Sequence, residues 1–358
     1  MSRTVIPFGP QHPVLPEPLH LKLVMQDEKI VEAIPAIGYV HRGLEKLTET
    51  KEFTQNVFVV ERVCGICSFQ HALAYCQGME SLMNVEVPGR AKYLRVIWAE
   101  LHRIHSHLLW LGLLADAFGF ESVFMQCWRN REKVMDIMEE TCGSRVIISG
   151  NVIGGVRRDI SKEMLLKVSI IADEIKEDMK QLEPVFFNDY TVKHRLVGVG
   201  VLTKEDAFTL GALGPMARGS GIKQDLRSTG YAAYGELDFE PVVETDGDCY
   251  ARTMVRLKEI YQSVKLIKQA IVSIPDGEIN VAVKGNPNGE VVSRVEQPRG
   301  EVLYYMRGNG TKNLDRLRLR TPTFANIPTL LKMLPGSQLA DVPVLILTID
   351  PCISCTER

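Results

Sequence analysis

Glu61-Arg62-Val63-Cys64-Gly65-Ile66-Cys67, near the start of the chain, and Asp350-Pro351-Cys352-Ile353-Ser354-Cys355-Thr356-Glu357-Arg358, at its end, are the stretches on which the reading turns. Each offers two thiols three positions apart, which on one helical turn or in a tight loop point the same way. Four thiolates converging on one point can hold a soft or borderline metal such as zinc, nickel or iron. Zinc ribbons and fingers place their second pair roughly 12–20 residues after the first, whereas here almost the whole chain intervenes. That spacing fits a small zinc knuckle badly and predicts a metal site buried between the two ends of a large domain.

The chain has 358 residues, 45% of them hydrophobic, enough for a substantial core in one large domain or two. Its formal net charge of −2 gives no electrostatic case for nucleic-acid binding. Met1-Ser2-Arg3 runs into a proline-rich start rather than an apolar core, so no signal peptide is expected. The longest apolar stretches, Leu108 to Phe118 and Val342 to Ile349, are too short to span a bilayer. Cys76, Cys127, Cys142 and Cys249 stand alone and read as buried small hydrophobes in a reducing compartment.

Between the two cysteine motifs the pattern is mainly helical. Leu19 to Pro35 alternates about a polar Gln26-Asp27-Glu28 turn and predicts a β-hairpin. The preceding stretch from Phe8 to Pro18 is too rich in proline for a helix. Within it Glu17 stands between two prolines, and by residue type alone it is a solvated loop acid. Helices are predicted from a Ser68 cap to Met83, from Arg90 to about Phe118, and from Glu121 to Cys142 with Gly143 as the stop. Two more are predicted, from Ser161 to about Leu182 before Pro184 and from Asp248 to Ile274. Asn151 to Val156 and Gly211 to Arg227 read as loops, the latter lacking the Lys-Ser/Thr pair of a phosphate-binding loop. Glu290 to Arg307, after an Asn286-Pro287-Asn288-Gly289 turn, predicts paired strands, Ile327 to Leu334 a short helix, and Val344 to Ile349 a buried strand. The expected fold is therefore mainly α, a central bundle of long helices with smaller β elements from the N- and C-terminal parts. It is taken as a single domain over residues 1–358: an N-terminal loop and hairpin (1–42), a helical core (43–275) and a β-containing part (276–358) that carries the second cysteine pair.

Several motifs carry a family likeness. Arg62-Val63-Cys64-Gly65-Ile66-Cys67 with Asp350-Pro351-Cys352-Ile353-Ser354-Cys355 resembles the two signature motifs of nickel–iron hydrogenase large subunits. Gly9-Pro10-Gln11-His12-Pro13, Gly154-Gly155-Val156 and the stretch from Arg218 to Arg227 look like the 49-kDa subunit of respiratory complex I. Both sets together resemble the membrane-bound, energy-converting (Ech-type) hydrogenases, over nearly the whole chain.

By that resemblance Cys64 and Cys352 would be terminal nickel ligands, and Cys67 and Cys355 would bridge nickel to an iron carrying CO and cyanide. Thiolates are soft and electron-rich, which suits low-spin iron and a redox-active nickel. Arg299, in its Pro-Arg-Gly setting, matches the arginine over the open face of the metals; by itself it could be a surface ion pair. Glu17 matches a glutamate proposed to shuttle protons to a nickel thiolate. His71 matches a histidine that hydrogen-bonds a bridging thiolate, and could otherwise be a helix-packing residue. Asp350 matches an acid beside the centre, and could otherwise be a turn residue. Glu45 matches a ligand of a structural magnesium or iron.

Two positions depart from standard hydrogenases. Ser106 stands where those enzymes have an aspartate over the site, as in complex I-like sequences. The residue three after the last cysteine, usually a histidine ligand of the third metal, is Arg358, which cannot ligate through its guanidinium and is expected to pair with Glu45. The chain stops at Arg358, as a mature form or a product without a cleaved extension would.

The resemblance implies reversible proton reduction to hydrogen with electrons from ferredoxin. No ferredoxin-type cysteine run is present, so iron–sulfur clusters are expected in partners: a small subunit with a proximal 4Fe–4S cluster, further iron–sulfur subunits, and integral membrane subunits that move protons or sodium. The expected place is peripheral, on the cytoplasmic side of the cell membrane. Two other readings stand beside it. One is a quinone-reducing complex I-type subunit, a family whose members lack all four cysteines. The other is a structural subunit stapled by a tetrathiolate zinc or iron.

Overall fold

A computed structural model describes residues 3–13, 15 and 17–358 of the chain. Strands β1 (Arg3–Phe8), β2 (His20–Gln26) and β3 (Lys29–Ala36) form an antiparallel sheet in that order. The β2–β3 pair is the expected hairpin, with Leu21, Leu23 and Met25 buried on one face. β1 was not expected, and it pairs with β2 from Arg3↔Gln26 to Phe8↔Leu21. Of the proline-rich stretch, Val14 and Pro16 lie outside the described residues, as do Met1 and Ser2; the described remainder after Phe8 is neither helix nor strand.

The helical part follows: α1 (Leu44–Thr50), α2 (Asn56–Glu61), α3 (Ser68–Leu82), α4 (Gly89–Ala117) and α5 (Glu121–Cys142). α4 is the axis of the molecule. It packs against α3, α5 and, further on, α10 (Cys249–Ser273), and is buried along most of its length. Even Arg95, Glu100 and Arg103 on it are fully enclosed. Ser68 does not cap α3; Cys67 is the residue before its first turn and makes no side-chain cap. Gly143 ends α5 in the left-handed region, φ 83°, which a glycine adopts at no steric cost.

A two-residue ribbon, β4 (Asn151–Val152) and β5 (Gly155–Val156), replaces the loop expected there. α6 (Lys162–Asn188) starts at Ser161, whose hydroxyl accepts from the Met164 N–H, but it runs through Pro184 instead of stopping. Pro184 lies on the solvent face while Leu182 and Phe186 stay buried, so continued packing offsets the lost backbone bond. α7 (Tyr190–Leu196), α8 (Lys204–Thr209) and α9 (Pro215–Arg218) lead to α10.

The C-terminal part holds β6 (Asn288–Gln297), β7 (Gly300–Asn309) and β8 (Leu314–Arg320), antiparallel in that order. The turn joining β6 to β7 is Pro298-Arg299, and β8 is a third strand beyond the expected pair. α11 (Pro322–Met333), α12 (Val342–Thr348) and α13 (Ile353–Glu357) end the chain. The expected strand over Val344 to Ile349 is thus corrected to a helix. A short apolar run buried on all sides has no periodicity to tell helix from strand, and Pro343 in the first turn suits a helix start. The fold is helix-rich with small antiparallel sheets, as the sequence implied.

Candidate metal centre

The two ends of the chain meet. Cys64 and Cys67 lie on the connection between α2 and α3; Cys352 precedes α13 and Cys355 lies within it. The Sγ atoms of Cys64 and Cys352 are 3.2 Å apart and those of Cys67 and Cys355 3.4 Å apart. Cys64, Cys67 and Cys355 also form a group whose sulfurs all lie within 4.8 Å of one another. Each of the four cysteines is at most 3% exposed, so the cluster is sealed from water.

Arg42 holds the two motifs together. Its guanidinium donates to Arg62 O (2.7 Å) and Val63 O (2.8 Å) beside the first pair, and to Ser354 O (3.2 Å) within the second. The Thr323 hydroxyl accepts from Cys352 N–H at 3.2 Å, and the Thr321 hydroxyl donates to Cys355 O at 3.1 Å. Asp350 adopts φ 51°, turning the chain sharply between α12 and α13. None of Arg42, Thr321 and Thr323 stood out as site residues in the sequence, because their role is to bind backbone rather than a reacting group.

Thiol contacts order the acidities. Cys64 is held well below the usual thiol range by hydrogen bonds from Cys352, Cys355 and Cys67. Burial pushes Cys67 and Cys355 well above it. Four buried sulfurs in two close pairs are a donor arrangement that a dication completes by displacing their protons. The residues present fit a soft thiolate-bound metal centre.

His71 sits over Cys355, with Nε2 3.3 Å from its sulfur and Nδ1 2.7 Å from the Tyr304 hydroxyl. Burial lowers this imidazole to about 4, so it is neutral, and a single ring proton serves the Tyr304 hydroxyl on one side or the Cys355 sulfur on the other. Tyr304 was missed in the sequence, where nothing tied a β7 tyrosine to α3.

Arg299 reaches the centre from the β6–β7 turn. Its Nε donates to Asp350 O (2.8 Å), its Nη2 pairs with Asp350 Oδ1 (2.8 Å), and its Nη1 lies 3.5 Å from Ser106 Oγ. It is 3% exposed, so the surface ion pair considered for it is ruled out. Burial opposes its charge, but Asp350 and the sulfur cluster more than offset that and keep it protonated. Gly214 lets the turn sit this close. At φ 62°, ψ −140° its added Cβ would meet Arg299 O at 2.3 Å. Gly214→Ala is therefore expected to destabilise the protein by about 2–4 kcal/mol, read as a lower midpoint in thermal unfolding; an unchanged midpoint would show the turn to be free to move.

Glu17 lies against the start of α13. Its carboxylate accepts from the Ile353 N–H, from Ser354 N–H (2.9 Å) and from the Ser354 hydroxyl (3.0 Å), and its charge bears on Cys352. It is not a freely solvated loop acid. Glu45 is paired with Arg358 at 3.0 Å and Arg318 at 3.5 Å and accepts from Leu319 N–H at 3.1 Å. The expected Glu45–Arg358 pair is present, and a guanidinium occupies the carboxylate that a third metal would need. Of the four solitary cysteines, Cys76, Cys127 and Cys249 are buried and Cys142 is partly exposed.

A sealed four-thiol cluster joining the two chain ends is the site expected of a nickel-dependent hydrogenase large subunit, on a fold shared with the complex I relatives. The family described as nickel-dependent hydrogenase matches residues 42–183, and that of the 49 Kd subunit of the respiratory-chain NADH dehydrogenase matches residues 117–286 and 282–358. The membrane-bound hydrogenase subunit alpha of Pyrococcus furiosus is 41% identical, the alignment covering 99% of this chain and 87% of that one. The carbon monoxide-induced hydrogenase of Rhodospirillum rubrum is 39% identical over 100% of both. Among solved structures, a chain of an archaeal membrane-bound sulfane sulfur reductase superposes with a TM-score of 0.94 at 31% identity, covering 99% of this chain and 98% of that one. The chain belongs to the family of catalytic-type subunits of membrane-bound hydrogenases, related to the 49-kDa subunit of complex I. Among the described residues no helix is long and apolar enough to cross a membrane.

Proposed function

We propose that this chain is the catalytic subunit of a ferredoxin-dependent, ion-translocating nickel–iron hydrogenase that reversibly reduces protons to hydrogen. The observation that carries the reading is the convergence of Cys64, Cys67, Cys352 and Cys355 in two close sulfur pairs, enclosed and met by Arg299 and His71. Cys64, Cys67, Cys352 and Cys355 would hold the nickel–iron centre, with CO and cyanide on its iron. When bound, such a centre would supply the two-electron chemistry of hydrogen.

The protein's own residues then hold and move protons. Arg299, fixed by Asp350 through two bonds, offers a buried cation that acts on the sulfurs. His71, with its proton on Nε2, would donate to Cys355 and keep that sulfur oriented. Glu17 accepts from the first N–H groups of α13 beside Cys352 and would be the acid that relays protons there. Glu17→Gln is expected to keep both metals while slowing hydrogen–deuterium exchange by about 10²–10⁴-fold, the range for loss of a general acid–base. Exchange at the wild-type rate would leave Glu17 only its cap on α13.

Partners of stated chemistry follow: a small subunit with a proximal 4Fe–4S cluster, further iron–sulfur subunits, membrane subunits, and ferredoxin as donor, with the chain on the cytoplasmic face of the membrane. Glu45 pairs with Arg358 in place of a third metal on this reading. Because one fold serves several substrates, including sulfane sulfur in the superposed relative, metal analysis joined to infrared spectroscopy is the decisive test. Nickel and iron in equal amounts, with CO and cyanide stretches, support the hydrogenase. Zinc alone would indicate a staple, and no metal a quinone-type subunit.

A further inference from the structure

Helix α12 is seven residues long, and its last carbonyls have no partner within the helix. They are taken instead by side chains from α4 and α10, which pack against it. Trp110 of α4 donates its indole N–H to Leu347 O at 2.6 Å. Arg256 of α10 donates to Thr348 O at 2.9 Å, and Arg252, one turn earlier, donates to the Thr348 hydroxyl at 2.8 Å. The Arg256 guanidinium lies over the Trp110 ring, 4.1 Å from its centroid. All three side chains are at most 2% exposed. A helix this short does not hold itself in place, so these three groups fix where α12 ends.

That end decides where Asp350 stands. The Asp350 N–H donates to Leu347 O at 2.8 Å, the same carbonyl that the Trp110 indole binds. A carbonyl oxygen has two lone pairs, so both donors can be served. Asp350 then turns with φ 51° and holds Arg299 through its own carbonyl and through Oδ1, both at 2.8 Å. Cys352 follows two residues later.

The contacts close a ring. Arg299 Nη1 lies 3.5 Å from Ser106 Oγ, and Ser106 stands one helical turn before Trp110 on α4. One face of α4 thus meets Arg299 at Ser106 and, at Trp110, the backbone that leads to Asp350. A second tryptophan of α4 supplies the contrast. Trp98 is equally enclosed and also donates its indole N–H, but to the Thr141 hydroxyl of α5 at 3.1 Å.

We propose that Trp110 is a positioning residue: its bond to Leu347 O sets where Asp350 stands, and through Asp350 how Arg299 is presented to the centre. The clamp on Asp350 stands on the contacts alone; its effect on turnover rests on the hydrogenase reading. Without the indole N–H, Leu347 O keeps the Asp350 N–H as its partner, so the end of α12 can shift without leaving that buried carbonyl unpaired. Arg299 moves with Asp350, because two of its three bonds are made there.

Trp110→Phe in the purified complex, with Trp98→Phe as its match, tests both parts. Each variant loses one buried indole bond, and each is expected to unfold at a lower temperature. In Trp110→Phe alone, backbone hydrogen exchange over residues 346–352, followed by mass spectrometry, should quicken by about fivefold, the equivalent of one lost hydrogen bond. Exchange there that matches wild type, or that quickens as much in Trp98→Phe, overturns the clamp whatever metal is bound. For the second part, Trp110→Phe should keep its nickel while turnover per nickel falls by about 10–100-fold, the range for removing a partner that orients a group at a metal site. Its CO and cyanide stretches should shift, and Trp98→Phe should show neither change. Stretches or turnover per nickel at the wild-type value, equal changes in Trp98→Phe, or nickel lost from Trp110→Phe would each overturn the link to Arg299. A wild type without those stretches overturns the hydrogenase reading and that link with it, and the clamp then stands or falls on the exchange result.

Discussion

Cys64→Ser is expected to bring nickel in the purified protein down to background and hydrogen turnover down with it. The loss should exceed the roughly 10–100-fold that removing a partner of a metal ligand costs, because the ligand itself is gone. A serine hydroxyl is a hard donor that stays protonated at neutral pH, and it cannot stand in for a soft thiolate beside three other sulfurs. Cys76→Ser is the matched control: Cys76 is equally buried, its thiol pushed well up by burial, and it belongs to no sulfur pair. Nickel content measured by elemental analysis should fall in the first variant and hold in the second. Equal nickel in both would remove Cys64 from the ligand set.

Arg299→Lys is the second large effect, and here the metals should stay. Lysine keeps the charge but loses the fork that joins Asp350 O, Asp350 Oδ1 and Ser106 in one plane. Removing one directed donor from a buried reaction site costs about 10²–10³ in turnover. Turnover per nickel should therefore drop by about that factor, while the Cys64–Cys352 and Cys67–Cys355 pairs persist. A rate per nickel within about threefold of wild type would mean that charge alone matters and that the fork does nothing for the reaction.

Much of the centre was legible because its chemistry is written in residue types. Four cysteines in two pairs, an arginine between proline and glycine, and an acid between prolines are local signals that survive without coordinates. The long helices were legible for a different reason: each of α3, α4, α5 and α10 is long enough for its apolar period to show. Boundaries failed where context outweighed the local signal. Pro184 read as a stop, yet α6 continues because Phe186 remains buried beyond it. Val344 to Ile349 read as a strand because a run buried on every side carries no period, and it folded as α12, giving Leu347 O to the Trp110 indole at 2.6 Å.

By itself the sequence determined the two cysteine pairs and the mainly helical class, since thiol spacing and helical periodicity are properties of a chain segment alone. Only the tertiary structure decided that the four sulfurs meet in two close pairs, that Tyr304 meets the ring of His71, and that Arg42 ties the two motifs. Those facts depend on groups from different elements sharing one dry interior, where electrostatic interactions are strong.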